Sequence, residues 1–207
     1  MSAPAFSLTA ARTPLLFTGP MSDDTRALAN GLQKHDPDLL DRLIEQHQHR
    51  LYRYLVFLTG NAALAEDLFQ ETWIRVLERG GQYNGKSKFE SWLFAIARNL
   101  VIDASRRKKM ASLEEMGDPE NETSYDPPDE GAASALQMLV SRENAQSVQL
   151  SLLKIPAYYR EVLVLRFHEE LGLEEIAAVT ATPISTVKSR LYRGLTALKT
   201  ALAEGAA

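Results

Sequence analysis

Apolar residues recur every three or four positions through most of the chain and strict alternation is nowhere sustained, so the pattern predicts helices and no strand. The clearest stretch is 36–58, where Leu39, Leu40, Leu43, Ile44, His47, Leu51, Tyr54, Leu55 and Leu58 recur at helical spacing. Asp36-Pro37 supplies an N-cap with proline at the first helical position, and Gly60-Asn61 breaks the run. A second helix is expected from Ala62 to Arg79, stopped by Gly80-Gly81. After a loop at Gln82–Ser87, a third runs from Phe89 to Lys108 and ends in the basic run Arg106-Arg107-Lys108-Lys109. Periodicity resumes near Ala135 with Leu136, Leu139, Val140, Val148, Leu152 and Leu153. Pro156 then opens a helix containing Val162, Leu163, Leu165 and Phe167.

Residues 111–135 break this pattern. They carry eight acidic groups and no basic one, with Pro119, Pro127 and Pro128 among them. Such a segment cannot bury enough apolar area to offset its chain entropy, so it is expected to be a flexible linker. The fold class that follows is all-α, with two small helical domains, 25–110 and 136–207, joined by an acidic tether. Residues 1–24 are expected to form a disordered tail, because Pro4, Pro14 and Gly19-Pro20 oppose a regular helix. The tail lacks the basic start and uninterrupted apolar run of a secretory signal. Met21 reads as a natural beginning, with Ser22 as an N-cap.

Charge changes the picture in one respect. The formal net charge of −4 would count against a nucleic-acid binder, but residues 111–135 alone contribute −8 while residues 31–110 sum to +3. The absence of cysteine excludes disulfides and thiolate metal sites and fits a cytoplasmic location. No apolar run approaches the roughly 20 residues of a membrane span.

Residues 173–202 read as a helix-turn-helix. Glu174 to Val179 makes a short helix, Thr180 to Pro183 a tight turn, and Ile184 to Leu202 a longer helix. Pro183 pushes its predecessor out of the α region and so bars continuation of the first helix. Ile176, Ala177, Val187 and Leu191 are spaced to pack the two helices together. Thr186, Lys188, Ser189, Tyr192 and Arg193 are left outward, and these residue types contact phosphates and base edges in a major groove. A plain helical hairpin with a basic solvated face is the other reading of the same pattern.

Two stretches of the first domain add chemistry. In Ala65–Trp73, Asp67, Gln70 and Glu71 lie three and four apart on one helical face, which on its own could be merely solvated. From Tyr83 through Asn84, Lys86, Phe89 and Trp92, and on to Asn99, Asp103 and Arg106, aromatics mix with cations in and after a loop. That mixture stacks unpaired bases while tracking a backbone, at roughly 1–3 kcal/mol per stacked base. Phe89 and Trp92 could equally be core, the reading favoured for Trp92.

In order and spacing these segments resemble the sigma-70 family, specifically its extracytoplasmic-function (ECF) group. The carriers are D-x-x-Q-E-x-W at Asp67–Trp73, F-x-S-W-L-x-x-I-A-R-N-x-x-x-D-x-x-R from Phe89 to Arg106, and the helix-turn-helix. The resemblance implies a sigma factor that binds core RNA polymerase and directs promoter recognition, melting and initiation. By it, Asp67, Gln70 and Glu71 would face the polymerase clamp. Tyr83, Asn84, Lys86, Asn99 and Arg106 would serve the melted minus-ten element. Thr186, Lys188, Ser189, Tyr192 and Arg193 would meet the minus-thirty-five duplex, and the acidic linker would occupy the RNA channel. An anti-sigma factor partner is implied as well. The chain departs from the family where Ser185 replaces a common glycine and Leu195 a common arginine.

A stand-alone helix-turn-helix regulator is the alternative, but it would need neither the Asp67–Trp73 face nor the aromatic-basic loop. No catalytic set, metal or cofactor is expected. His47 and His49, two apart on a helix, point in different directions and cannot share a metal well.

Overall fold

The computed structural model describes residues 23–115 and 143–205. The predicted tail up to Ser22, the linker from 116 onward and the periodic positions from Ala135 to Val140 lie outside the described residues. Those described form eight α-helices and no strand.

The first half contains α1 (Asp23–Gln33), α2 (Pro37–Thr59), α3 (Ala62–Arg79) and α4 (Phe89–Glu115), with a single 3-10 turn at Gly80–Gln82. Asp36 caps α2 as its sequence predicts, its carboxylate accepting from the N–H groups of Asp38 (3.1 Å) and Leu39 (3.3 Å). Gly60 closes α2 in the left-handed conformation, φ 64°, with its N–H on the Val56 carbonyl. Asn61 then caps α3 through Leu64 N–H at 2.9 Å.

Two boundaries correct the sequence reading. Asp23 and Asp24, assigned to the tail, form the first turn of α1, where their charges favour the positive end of the helix dipole. Only Leu32 of this helix is buried. Residues 111–115, assigned to the linker, continue α4, since no glycine or proline intervenes before Gly117.

The second half contains α5 (Glu143–Lys154), α6 (Ala157–Leu163), α7 (Leu173–Thr180) and α8 (Ile184–Gly205), with a π turn at Val164–His168 between α6 and α7. The helix-turn-helix packs through Ile176 and Val187, both fully buried, with Ala177 and Leu191 partly buried beside them. Ala181 takes a left-handed conformation, φ 51°, to end α7. Thr182 N–H reaches back to the Ala177 carbonyl (3.1 Å) in the manner of a Schellman cap.

The two halves share one apolar core, built around Leu51, Tyr54, Leu55, Phe57, Leu93 and Phe94 from the first and Leu153, Leu163 and Leu165 from the second. Polar bonds cross the same interface. Glu161 of α6 receives Arg98 Nε at 2.8 Å and the Tyr54 hydroxyl at 3.2 Å. Glu169, its side chain fully buried just after the π turn, receives Arg50 Nε at 2.8 Å, and Arg50 Nη2 also donates to the Glu169 carbonyl at 3.0 Å. The π turn and the left-handed Glu170 (φ 57°) swing Glu169 inward to meet that guanidinium. Burial raises the pKa of Glu161, which Arg98 opposes.

Replacing Glu161 by alanine leaves Arg98 and Tyr54 facing a buried void. It is expected to cost on the order of 3 kcal/mol of unfolding free energy, read as a shifted urea midpoint.

A second expectation concerns pH. Burial lowers the pKa of His168, and the Arg53 guanidinium, Nη1 3.0 Å from its Nε2, lowers it further; Arg50 acts the same way and Glu169 opposes. A depressed folded-state pKa contributes stability present above the unfolded value, 6.5, and lost as pH falls. Glu161 has the opposite sign, with stability lost as pH rises through its raised pKa. The histidine contribution is therefore read as a difference: from pH 7 to 5 the native chain is expected to lose more stability than His168→Gln, and equal losses would contradict the assignment.

Candidate polymerase and nucleic-acid interfaces

Three surfaces carry the chemistry anticipated from the sequence. The first is on α3. Leu68, Thr72, Trp73 and Val76 bury one side of this helix, leaving Asp67 and Gln70 exposed and Glu71 about 38% exposed on the other. Glu71 pairs with Arg75 at 2.8 Å, and Arg75 also bonds Glu78 at 2.7 Å, which raises the Arg75 pKa. Ile74 stays 48% exposed one turn beyond Gln70. An exposed apolar side chain ringed by polar ones has the composition of a protein-docking anchor.

Asp67 and Glu71 form one wall of an open groove whose other wall comes from α4 and includes Leu100, Asp103, Arg106 and Arg107. Arg106, grouped by sequence with the minus-ten residues, thus shares a groove with two α3 carboxylates. It sits seven residues beyond Asn99, about 10 Å further along the helix.

The second surface is the loop before α4 and the helix it feeds. Asn84, Lys86 and Asn99 are exposed. Asn84 Oδ1 accepts from Lys86 N–H at 3.1 Å, and Gly85 supplies the positive φ (68°) of this tight turn. Tyr83 is placed differently from the expectation. Only 5% exposed, it packs its ring on Phe89 (5.9 Å between centroids) and Trp92 (5.3 Å), and its hydroxyl donates to the Ser87 carbonyl at 2.8 Å. Burial, with the Glu90 charge adding to it, pushes the Tyr83 phenol up to about 12. Tyr83 is therefore the internal strut of the loop rather than an open stacking platform, because Phe89 and Trp92 enclose it. Phe89 is core, and Trp92 is half-buried against it.

The third surface is the outward face of α8. Lys188, Ser189, Tyr192 (71% exposed) and Arg193 point into solvent, and Thr186 is half-buried at its edge. Sequence reasoning missed Ser185, Arg190 and, from α6, Tyr158 and Tyr159, which line a groove along one flank of this face together with Ser189 and Arg193. Its signal was the tyrosine pair just after Pro156, at helix positions that do not continue the apolar stripe.

In this form the second and third surfaces are tied together. Lys88, at the end of the loop, bonds Glu175 at the start of α7 at 2.9 Å. Burial raises the Glu175 pKa, but Gly172 N–H at 2.7 Å and Lys88 outweigh it, so the net direction is down and the pair is ionised. Among the described residues, no helix is long and apolar enough to cross a membrane.

Residues 43–110 match the family described as sigma-70 region 2, and residues 145–198 the one described as sigma-70, region 4. The chain is 33% identical to the ECF RNA polymerase sigma factor SigW of Bacillus subtilis over 81% of its own length and 91% of that protein. It is 35% identical to the ECF RNA polymerase sigma factor SigE of Mycolicibacterium smegmatis over 79% of its length, spanning 62% of that longer protein. Among solved structures it is similar in fold to the sigma factor RpoE of Bartonella quintana, crystallised with the anti-sigma factor NepR. There the TM-score is 0.61 at 23% identity, covering 78% of this chain and 95% of the other. Two consecutive region matches and a near-full-length relative above 30% identity place this chain in the sigma-70 family, among the ECF RNA polymerase sigma factors.

Proposed function

We propose that this ECF sigma factor divides promoter-specific initiation by RNA polymerase among its three surfaces. Asp67, Gln70 and Glu71 on α3 dock core polymerase. Asn84, Lys86 and Asn99 read the melted minus-ten strand, with Tyr83 holding the loop in shape from inside. Thr186, Lys188, Ser189, Tyr192 and Arg193 enter the minus-thirty-five major groove. Arg106 belongs with the docking groove, where its charge faces Asp67 and Glu71. The observation that carries the reading is that Asp67, Gln70 and Glu71 project from the side of α3 away from its buried residues, with Glu71 paired to Arg75 of the same helix. A stand-alone regulator has no use for such a face.

The closed form bears on how this activity is controlled. The two promoter elements lie at separate positions along the duplex, whereas Lys88 held 2.9 Å from Glu175 ties the two reading surfaces side by side. The halves therefore separate when both elements are engaged, and an anti-sigma factor that holds them together, or wedges between them once parted, keeps the chain inactive.

Gln70→Ala combined with Glu71→Ala is expected to abolish binding to purified core polymerase while leaving the melting temperature within a few degrees of the native chain, because exposed helix positions cost little stability. Unchanged core affinity would show that the docking face lies elsewhere.

The absence of native cysteine permits a clean test of opening. Cysteines placed at Lys88 and Glu175, joined by a short reductant-cleavable crosslinker, are expected to block transcription by the reconstituted holoenzyme, and reduction to restore it. Full transcription by the crosslinked protein would rule out obligatory separation.

A further inference from the structure

The groove beside α8 has a composition that core packing does not explain. Tyr158 is 47% exposed although it lies on a helix whose neighbours Val162 and Leu163 are buried. Its ring meets Tyr159 edge-on at 4.3 Å, and the Arg190 guanidinium lies over its face at 5.6 Å from the centroid. A cation held at that distance is fixed in direction. Ser185, Ser189 and Arg193 complete the walls of an open space of about 430 Å³. Every one of these residues carries a hydrogen-bond donor, and no carboxylate lines the groove.

The close approach of α6 to α8 builds this space. Gly194 has no Cβ where one would stand 3.3 Å from Leu163 side-chain atoms and 3.3 Å from Tyr159 Cβ. Glycine there lets α6 bring its tyrosines level with the outer half of the recognition helix.

Direction decides what the donors meet. Helical geometry puts Ser189, Tyr192 and Arg193 on the outward stripe and Arg190 on its flank toward α6. When a helix fills a major groove about 12 Å wide, its outward stripe faces base edges and its flanks face the phosphate walls. A flank of guanidinium and hydroxyl donors therefore meets an anion.

We propose that the groove between α6 and α8 seats one backbone phosphate of the upstream duplex, with Arg190 as the contacting cation and Tyr158 as the residue that positions it and adds a hydroxyl donor. This rests on the reading that α8 enters the major groove. It extends the upstream interface to a helix outside the helix-turn-helix and fixes the register of α8 along one strand. The Tyr158 phenol remains a donor at working pH, since contact with the Tyr159 hydroxyl and desolvation both raise its pKa.

The test uses holoenzyme reconstituted from core polymerase and the full chain, binding a labelled promoter duplex across a salt series. Arg190→Ala should weaken binding roughly tenfold near 0.1 M salt. It should also make the log–log salt slope shallower by about 0.9, as for one lost phosphate contact. Its melting temperature and core affinity should match those of the native chain. Tyr158→Ala should lose several-fold in affinity and Tyr158→Phe less, because the ring still orients Arg190. Neutral methylphosphonates placed singly along each strand should reveal one position whose penalty vanishes with Arg190→Ala. An unchanged salt slope for Arg190→Ala, or a methylphosphonate penalty identical in both proteins at every position, overturns the seat. If Arg193→Ala and Lys188→Ala also leave binding unchanged, the placement of α8 in the groove fails with it.

Discussion

Two carboxylates buried between the halves of the chain hold this structure in its closed form. Glu161 and Glu169 leave water to meet Arg98 and Arg50, and the exchange is favourable only while geometry is good and the remaining polar atoms are bonded. Tyr54 completes Glu161 and the Glu169 carbonyl adds a second bond to Arg50, while Glu169 Oε1 is left without a hydrogen-bond partner. Charge pairs of this kind are weak contributors to net stability but costly to break singly. That combination suits an interface that must be specific when shut and still able to open. The apolar contacts beside them, such as Tyr54 on Phe94, supply cohesion, whereas the ion pairs fix register.

Opening and initiation then become one process. The polar face of α3 proposed to dock core polymerase is accessible in the closed form, so that docking would need no prior rearrangement. Under the proposed separation for promoter reading, the bond between Lys88 and Glu175 sits at the boundary between the loop and the helix-turn-helix. Lys88 is well exposed, so this outer bond is screened by solvent and is weaker than the buried pairs behind it. The energetic threshold against premature opening therefore lies with Glu161 and Glu169.

Much of this was legible in the amino-acid order. Asp36-Pro37, Gly60-Asn61 and Pro183 mark helix boundaries by local backbone chemistry, and α2, α3 and α8 lie where those residues put them. The outward placing of Lys188, Ser189, Tyr192 and Arg193 on α8 followed from its spacing alone, whereas Thr186 is half-buried. The end of α4 has no local marker and was missed, because nothing stops that helix before Glu115; the start of α1 had one in Ser22, but the prolines upstream drew the tail two residues too far. Tyr83 was read as available for stacking because an aromatic in a polar loop gives no sign of which way it turns, and only the meeting of Phe89 and Trp92 shows that it turns inward. Arg50 and Glu169 are 119 residues apart, and no local pattern announces such a partnership. The same holds for Arg190, which needs Tyr158 from another helix before its role shows.

The central claim is that this chain gives core RNA polymerase its promoter choice. Run-off transcription with purified core polymerase free of any other sigma factor, on a library of promoter fragments, tests it most directly. The account predicts transcripts from a defined subset sharing an upstream and a downstream element, and none without the added protein. Transcription of no fragment, together with sequence-specific duplex binding by the protein alone, would contradict it and identify a regulator that works without polymerase.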